Sequence, residues 1–239
     1  MIKYFSLLYI ILAFNAIGQK SYDWCFIENM GQFNTDVLFK HQIPGGAMFI
    51  EKTGITYHLK KEAVNHDHDS KAHIFQNHAF SVDFLNARPN AIVHKESATP
   101  HYFNFLVGSD KTKWQSKVRG YETIKLENLY AKIDLVMYDS HQTIKYDFIV
   151  KKGGKPSDIK LKYNNLDNLY LDKKGKLHLQ NSVSDIIEDA PYVYQIINGK
   201  KVTVTAQYVL DGTEISYHFP NGYNTKYDLV IDPTLIMST

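Results

Sequence analysis

The chain has a single cysteine, Cys25, so no disulfide can form within it. The fold must therefore be held together by its core. Cys25 lies in the apolar run at 24–27, and there we expect a small buried side chain. No long run with helical periodicity follows the N-terminal region, which argues against a helical fold.

The chain also lacks an excess of charge of one sign, because its formal net charge is only +2 over 239 residues. Acidic residues are interleaved with basic ones, so the electrostatic footprint of a nucleic-acid-binding protein is missing, and nucleic acid is not an expected partner. No cofactor is expected either. The composition, with 44% hydrophobic and 22% charged residues, is that of an ordinary globular protein.

Beyond the N-terminus there is no apolar run long enough to span a membrane. The N-terminus itself has a short positive region ending at Lys3, an apolar region from Phe5 to Phe14, and small residues at Ala16 and Gly18 before Gln19. This pattern predicts a signal peptide over residues 1–18. We therefore expect a secreted or cell-surface protein with no membrane span after cleavage.

The chain after the predicted signal peptide consists mainly of strand patterns. Tyrosine and phenylalanine are abundant, at 17 and 13 residues against 2 tryptophans, and flat rings pack well across the strands of a sheet. Strand patterns recur every 8 to 12 residues or so, with turn signals such as Asn198-Gly199 and Asp211-Gly212 between them. The sequence predicts an all-β fold of antiparallel sandwich type, built from meandering hairpins.

A charged Gly/Pro turn from Lys151 to Pro156 divides the strand patterns into two groups. It predicts an N-terminal β lobe over residues 19–151 and a C-terminal β lobe over residues 152–239. The two lobes are expected to form one continuous module. Whether they make one sandwich or two stays open at this point.

The hairpin from Lys132 to Lys151 is expected near the middle of the sheet. One face carries Ile133, Leu135 and Met137 and the other carries polar and apolar residues, so both faces should be at least half buried. If Met137 faces Ile144, Asp134 faces Asp147, and the two carboxylates suit a glycosidase-type acid and nucleophile. A register moved by two residues pairs Asp134 with Lys145, which avoids facing like charges.

Two further groups of residues are candidate sites. Imidazole and carboxylate side chains cluster in the polar stretch around His66, His68, His73 and His78, but their spacing matches no strict ligand pattern, so a solvated loop is preferred to a metal site. Tyr102, Trp114 and Tyr138 are candidate rings for stacking on a ligand such as a sugar.

An ordered set of short motifs runs through nearly the whole mature chain. The motifs are Phe26-Ile27-Glu28-Asn29-x-Gly31-Gln32, Ile43-Pro44-Gly45-Gly46, the segment 102–114, Asn128-Leu129-Tyr130, Ile133-Asp134-Leu135, Lys145-Tyr146-Asp147-Phe148 and Leu229-Val230-Ile231-Asp232-Pro233-Thr234. Together they resemble a known family, the uncharacterised β-rich N-terminal domain of large secreted surface proteins of gliding bacteria. In those proteins the domain precedes β-propeller-type (SBBP) repeats.

The resemblance implies a non-enzymatic extracellular module associated with gliding motility or type IX secretion, with surface-protein domains or β-propeller-type repeats as partners. It implies no catalytic residues. The chain ends at Thr239, where the family's repeats would begin, so we expect either a stand-alone member or a fragment. The sequence leaves three functions open: a structural or adhesion module, a carbohydrate-binding module, and a glycoside hydrolase using Asp134 and Asp147.

Overall fold

The computed structural model describes residues 24–62, 75–140, 143–233 and 235–237. Strands make up 62% of the described residues and helical turns 3%, so the prediction of an all-β, sandwich-like fold is confirmed. The elements are β1 Phe26–Glu28, β2 Val37–Ile43, β3 Gly46–Glu51, β4 Gly54–Glu62, β5 Phe75–Phe84, β6 Ile92–Phe105, a 3-10 turn Lys111–Lys113, β7 Gln115–Tyr130, β8 Ile133–Ser140, β9 Thr143–Val150, a 3-10 turn Pro156–Asp158, β10 Leu161–Asn164, β11 Asn168–Leu171, β12 Leu177–Gln180, β13 Asp185–Glu188, β14 Tyr192–Ile197, β15 Lys200–Val204, β16 Gln207–Asp211, β17 Glu214–His218, β18 Leu229–Asp232 and β19 Leu235–Met237.

Two antiparallel sheets contain these strands. The large sheet follows the order β15-β14-β18-β9-β8-β7-β1-β2-β3-β4-β5-β10-β17-β16, with β6 paired to β7. The strands at the two ends of this order, β15 and β16, follow one another in the chain and are joined by only Thr205 and Ala206. Such a link reaches at most ~11 Å. The large sheet therefore curls until its two ends lie close together. The small sheet has the order β11-β12-β13-β19.

The core is shared by strands from both sides of Lys151. In the large sheet β9 pairs with β18 and β5 pairs with β10, and one cluster of buried side chains contains residues of both groups. The division at Lys151 stays a prediction. The predicted signal peptide, residues 1–18, lies outside the described residues. No helix in the described part of the chain has the length and apolar character needed to cross a membrane.

The β8–β9 hairpin has a register that neither prediction anticipated. Ile133 pairs with Val150 and Asp134 with Ile149, so pairing Asp134 with Asp147 or with Lys145 is wrong. The observed register pairs all eight residues of each strand and places each aspartate opposite an aliphatic residue, with no facing like charges. The predicted faces are confirmed, because Ile133, Leu135 and Met137 are buried and the other face is largely half-buried.

Asp134 is an exception on that outer face, since it is only 1% exposed. Its carboxylate lies 3.0 Å from the ammonium groups of both Lys125 and Lys151, and it accepts a 2.8 Å hydrogen bond from the backbone N–H of Asn128. Burial alone would raise its pKa, but these donors outweigh burial and lower the pKa. Asp134 therefore ties together β7, β8 and the end of β9.

A second small core supports the β6–β7 hairpin. Cys25, Ile27 and Val118 form it, with Phe103 and Phe105 packed against them. Cys25 is fully buried, as predicted. A Cβ atom added to Gly120 would lie only 2.4 Å from the Cys25 sulfur, so the glycine allows β7 to approach β1 at this point.

The small sheet is joined to the large one through a buried carboxylate on β13. Glu188 accepts a 3.0 Å hydrogen bond from the Tyr146 hydroxyl on β9 and a short one from the Tyr208 hydroxyl on β16. Beside Glu188 lies a cavity of about 20 Å³, with Tyr57 and Tyr163 in its lining. Burial raises the pKa of Glu188 to about 7, although the tyrosine hydroxyls lower it in part.

Glu188 therefore makes stability depend on pH. Its pKa is about 7 in the folded chain against an ordinary 4.5, so the folded state holds a proton that the unfolded state releases, and the free energy of unfolding falls as pH rises through that window. In Glu188→Gln we expect the fall between about pH 5 and 8 to be smaller by on the order of 2 kcal/mol. Urea denaturation at a series of pH values measures this, and an identical pH profile in both proteins would contradict it.

Candidate functional site

The outer surface of five neighbouring strands, β8, β9, β18, β14 and β15, carries a mixed aromatic and charged cluster. The strand registers create it: Tyr138 pairs with Lys145, Tyr192 pairs with Asp232, and the β9–β18 register continues from Ile231 and Phe148 to bring Asp232 beside Asp147. We call this surface the tyrosine–aspartate face. Its residues are Tyr138, Lys145, Asp147, Tyr192, Tyr194, Lys201 and Asp232.

Two carboxylates lie at the centre of the face. One oxygen of Asp147 and one of Asp232 are buried and have no hydrogen-bond partner among the described residues. The Tyr138 hydroxyl lies 3.5 Å from the other oxygen of Asp147, and the Lys145 ammonium lies 4.0 Å from Asp232. Burial, followed by the nearby charge of Asp232, raises the pKa of Asp147 to about 6.

Aromatic rings border the carboxylates on the β14 side. The ring centroids of Tyr192 and Tyr194 are 5.6 Å apart, and the Lys201 ammonium lies 3.8 Å from the centroid of Tyr194. Tyr192 is 40% exposed. Ile196, four residues further along β14 and on the same side of the strand, is 50% exposed. Rings, a cation and carboxylates are thus all presented on one surface.

This arrangement can bind a partner in two complementary ways. The exposed ring of Tyr192 and the half-buried rings beside it provide flat apolar contact area, and Lys201 with the two carboxylates provides hydrogen-bond donors and acceptors. Near pH 6 Asp147 exchanges a proton, so its carboxyl can act as a donor below that pH and as an acceptor above it. In the described part of the chain no group of three or more His, Cys, Asp or Glu side chains is arranged to hold a metal ion.

The three predicted stacking residues do not lie together. Tyr138 belongs to the tyrosine–aspartate face, whereas Tyr102 and Trp114 lie towards the far end of the β6–β7 hairpin. One face of the Tyr102 ring is covered by the Arg119 guanidinium at 4.1 Å. Trp114 is half-buried, with the Lys111 ammonium 5.6 Å from its ring centroid.

Among the candidate metal ligands, His66, His68 and His73 lie outside the described residues. His78 is described and lies on β5, where its ring nitrogens are 3.0 Å from the Ser182 hydroxyl and 2.7 Å from the Asn165 carbonyl oxygen. These two contacts link β5 to the loops on either side of the β11–β12 hairpin.

Sequence reasoning missed most of the face. The sequence suggests Asp134 or Lys145 as the neighbour of the hairpin carboxylates, and it gives no sign that Asp232, Tyr194 and Lys201 are site residues. They are separated from Asp147 by dozens of residues and meet it only because β18 inserts between β9 and β14. Along β14 every second side chain faces outwards, so the alternation of strand positions could have indicated that Tyr192 and Tyr194 share one face. It could not have indicated which residues of other strands lie beside them.

The motif near the start of the chain has a structural role. The Asn29 side-chain amide donates to the carbonyl oxygens of Asn34 and Val37 at 2.7 and 2.8 Å, and its oxygen accepts from the backbone N–H groups of Gly31 and Phe33. Asn29 therefore closes the loop between β1 and β2.

A family model described as a domain of unknown function (DUF7948) matches residues 26–234. No curated protein matches the chain, and no solved structure matches it. Nothing in these comparisons links the chain to β-propeller-type repeats or to gliding motility.

The pKa of Asp147 should depend on the charge of Asp232. Asp232→Asn removes one negative charge, so we expect the pKa of Asp147 to fall from about 6 towards its ordinary value of 3.8, with burial keeping part of the shift. NMR titration of the carboxyl carbons measures this. Asp211→Asn, an exposed aspartate on β16, is the control. An unchanged Asp147 pKa in Asp232→Asn would show that the two groups do not interact.

Proposed function

The chain belongs to the family of domains of unknown function DUF7948, and from that premise we propose that it is a non-enzymatic interaction module of an exported bacterial surface protein. The signal-peptide pattern at residues 1–18 supports export. The resemblance of its motifs to domains that precede β-propeller-type repeats supports a role in adhesion or in capping such repeats. Open repeat arrays need a cap because their end faces are otherwise exposed.

The tyrosine–aspartate face is the observation that carries the proposal. It places the exposed Tyr192 ring, two half-buried tyrosine rings and a lysine beside two half-buried carboxylates, whereas Asp134 is neutralised by two lysines and Glu188 is enclosed by tyrosines. Tyrosine is enriched in the cores of protein interfaces because it supplies a large rigid contact area. The groups left for a partner are therefore of the type that interfaces use.

Binding to the surface of cells of the producing organism tests the proposal. We expect labelled wild-type protein to bind saturably, and Tyr192→Ala/Lys201→Ala to bind about tenfold more weakly or worse, since ring anchors dominate interfaces. Flow cytometry over a concentration series gives the affinities.

The matched control for this test is Val209→Ala/Lys174→Ala, which removes an exposed apolar residue and an exposed lysine elsewhere on the surface. Equal binding by the face variant and the control would overturn the assignment of the face.

Turnover of a glycoside that is lost in Asp147→Asn would instead support the hydrolase alternative, with Asp232 rather than Asp134 as the second carboxylate.

Carbohydrate binding is a second candidate, favoured by the exposed Tyr192 ring beside charged hydrogen-bonding groups. Sugar rings stack on aromatic faces, and their hydroxyl groups pair with carboxylates and lysine. We expect a glycan identified on an array to bind at least about tenfold more weakly to Tyr192→Ala and nearly normally to Tyr192→Phe, which keeps the ring. An array on which the wild type binds no glycan would rule this candidate out.

A further inference from the structure

The tip of the β6–β7 hairpin is a well-formed turn. Asp110 accepts a 3.0 Å hydrogen bond from the backbone N–H of Thr112 at the start of the 3-10 turn. The Trp114 indole N–H donates to the Gly108 carbonyl oxygen at 3.1 Å, and Gly108 has a φ of 80°, which glycine adopts without strain. The tip conformation is thus fixed by its own hydrogen bonds.

The base of the tip is fixed as well. Phe103 and Phe105 pack on the small core around Cys25, and the Phe105 ring lies 5.3 Å from that of Phe33 in an edge-to-face contact. Beyond the pair of Phe105 and Gln115 the chain forms only the turn. A rigid base therefore holds the turn away from the main core.

This ordered turn exposes its aliphatic side chains. Leu106 is 57% exposed and Val107 is 80% exposed, the highest value among the large hydrophobic residues described as exposed. Apolar residues on a fixed turn gain nothing from folding while they face water. Their exposure is explained if the turn is buried against something else.

Positive charge is concentrated in the same part of the chain. Residues 102–119 contain four basic residues and one acidic residue, giving +4 − 1 = +3, whereas the whole chain carries +2. Three of the basic residues, Lys111, Lys113 and Lys117, are exposed close to the apex. The surface that receives the tip should therefore be anionic.

We propose that the hairpin tip docks on the surface of an anionic lipid bilayer. Leu106 and Val107 enter the boundary of the acyl chains, and the three lysines lie among the headgroup phosphates. Trp114 belongs to the same turn, and tryptophan is enriched at membrane–water interfaces. A bilayer fits better than an acidic protein because exposed aliphatic side chains, a tryptophan and exposed lysines lie together on one short turn, and an anionic bilayer offers an apolar layer and an anionic layer side by side.

This surface is different from the tyrosine–aspartate face. Tyr138 of that face pairs with Thr123, eight residues along β7 from the start of the strand at Gln115. Membrane docking therefore goes beyond the proposed interaction with a surface-protein partner, and each can fail without the other.

Vesicle co-sedimentation of the full chain tests the proposal. We expect the wild type to bind phosphatidylcholine vesicles containing phosphatidylglycerol at least about tenfold more tightly than phosphatidylcholine alone, and to lose binding as salt rises. Leu106→Ser/Val107→Ser and, separately, Lys111→Glu/Lys113→Glu should each weaken binding about tenfold or more. In a Trp24→Phe background, the fluorescence of Trp114 should shift to shorter wavelength on binding.

The controls change equivalent residues elsewhere. Val209→Ser alters an exposed aliphatic residue on β16, Lys173→Glu/Lys174→Glu reverses two exposed lysines in the β11–β12 turn, and Tyr192→Ala/Lys201→Ala alters the other face. All three should bind vesicles like the wild type, and thermal melts check that every variant is folded.

Three results would overturn the proposal. The first is a wild type that shows no preference for phosphatidylglycerol. The second is a serine variant that binds as well as the controls, which would mean that attraction of charge alone holds the protein on the vesicle. The third is equally tight binding to soluble polyglutamate with the same loss in the tip variants, which would assign the tip to an acidic protein partner.

Discussion

The fold depends on how a strongly curled sheet is closed over its own interior. The two ends of the large sheet lie close together, and the small sheet covers the core through β13. Glu188 is the polar contact at this junction, because Tyr146 and Tyr208 donate to it from strands near opposite ends of the large sheet. A carboxyl group so deeply buried is stable when neutral. Closure of the fold therefore depends on whether the Glu188 carboxyl group carries its proton.

Two aspartates of the β8–β9 hairpin show how neighbours decide the role of a side chain. Asp134 and Asp147 point to the same face of the same ribbon, yet the pKa of Asp134 is lowered and that of Asp147 is raised to about 6. Asp134 is surrounded by two ammonium groups and a backbone N–H, whereas Asp147 is half-buried beside Asp232. The first carboxylate is part of the scaffold, and the second is available to a partner.

The fold presents its two candidate binding surfaces in different ways. The tyrosine–aspartate face lies on the regular part of the sheet, where strand pairing fixes the side chains, so it suits recognition by a shaped partner. The hairpin tip projects beyond the sheet and is held by its own turn and by the small core around Cys25. An interaction module that contacts one partner and a surface at the same time would use both.

The sequence by itself determined the class of the fold, the buried cysteine, the faces of the β8–β9 ribbon and turns such as Asn198-Gly199, where both residues have positive φ. These features depend on the alternation of side chains and on local backbone preference, which act over a few residues. Only the tertiary structure decided the β8–β9 register, because shifts by two residues keep every side chain on its predicted face. It alone also placed Asp232 beside Asp147 and Glu188 between two tyrosines, since pairing between distant strands leaves no local trace in the sequence.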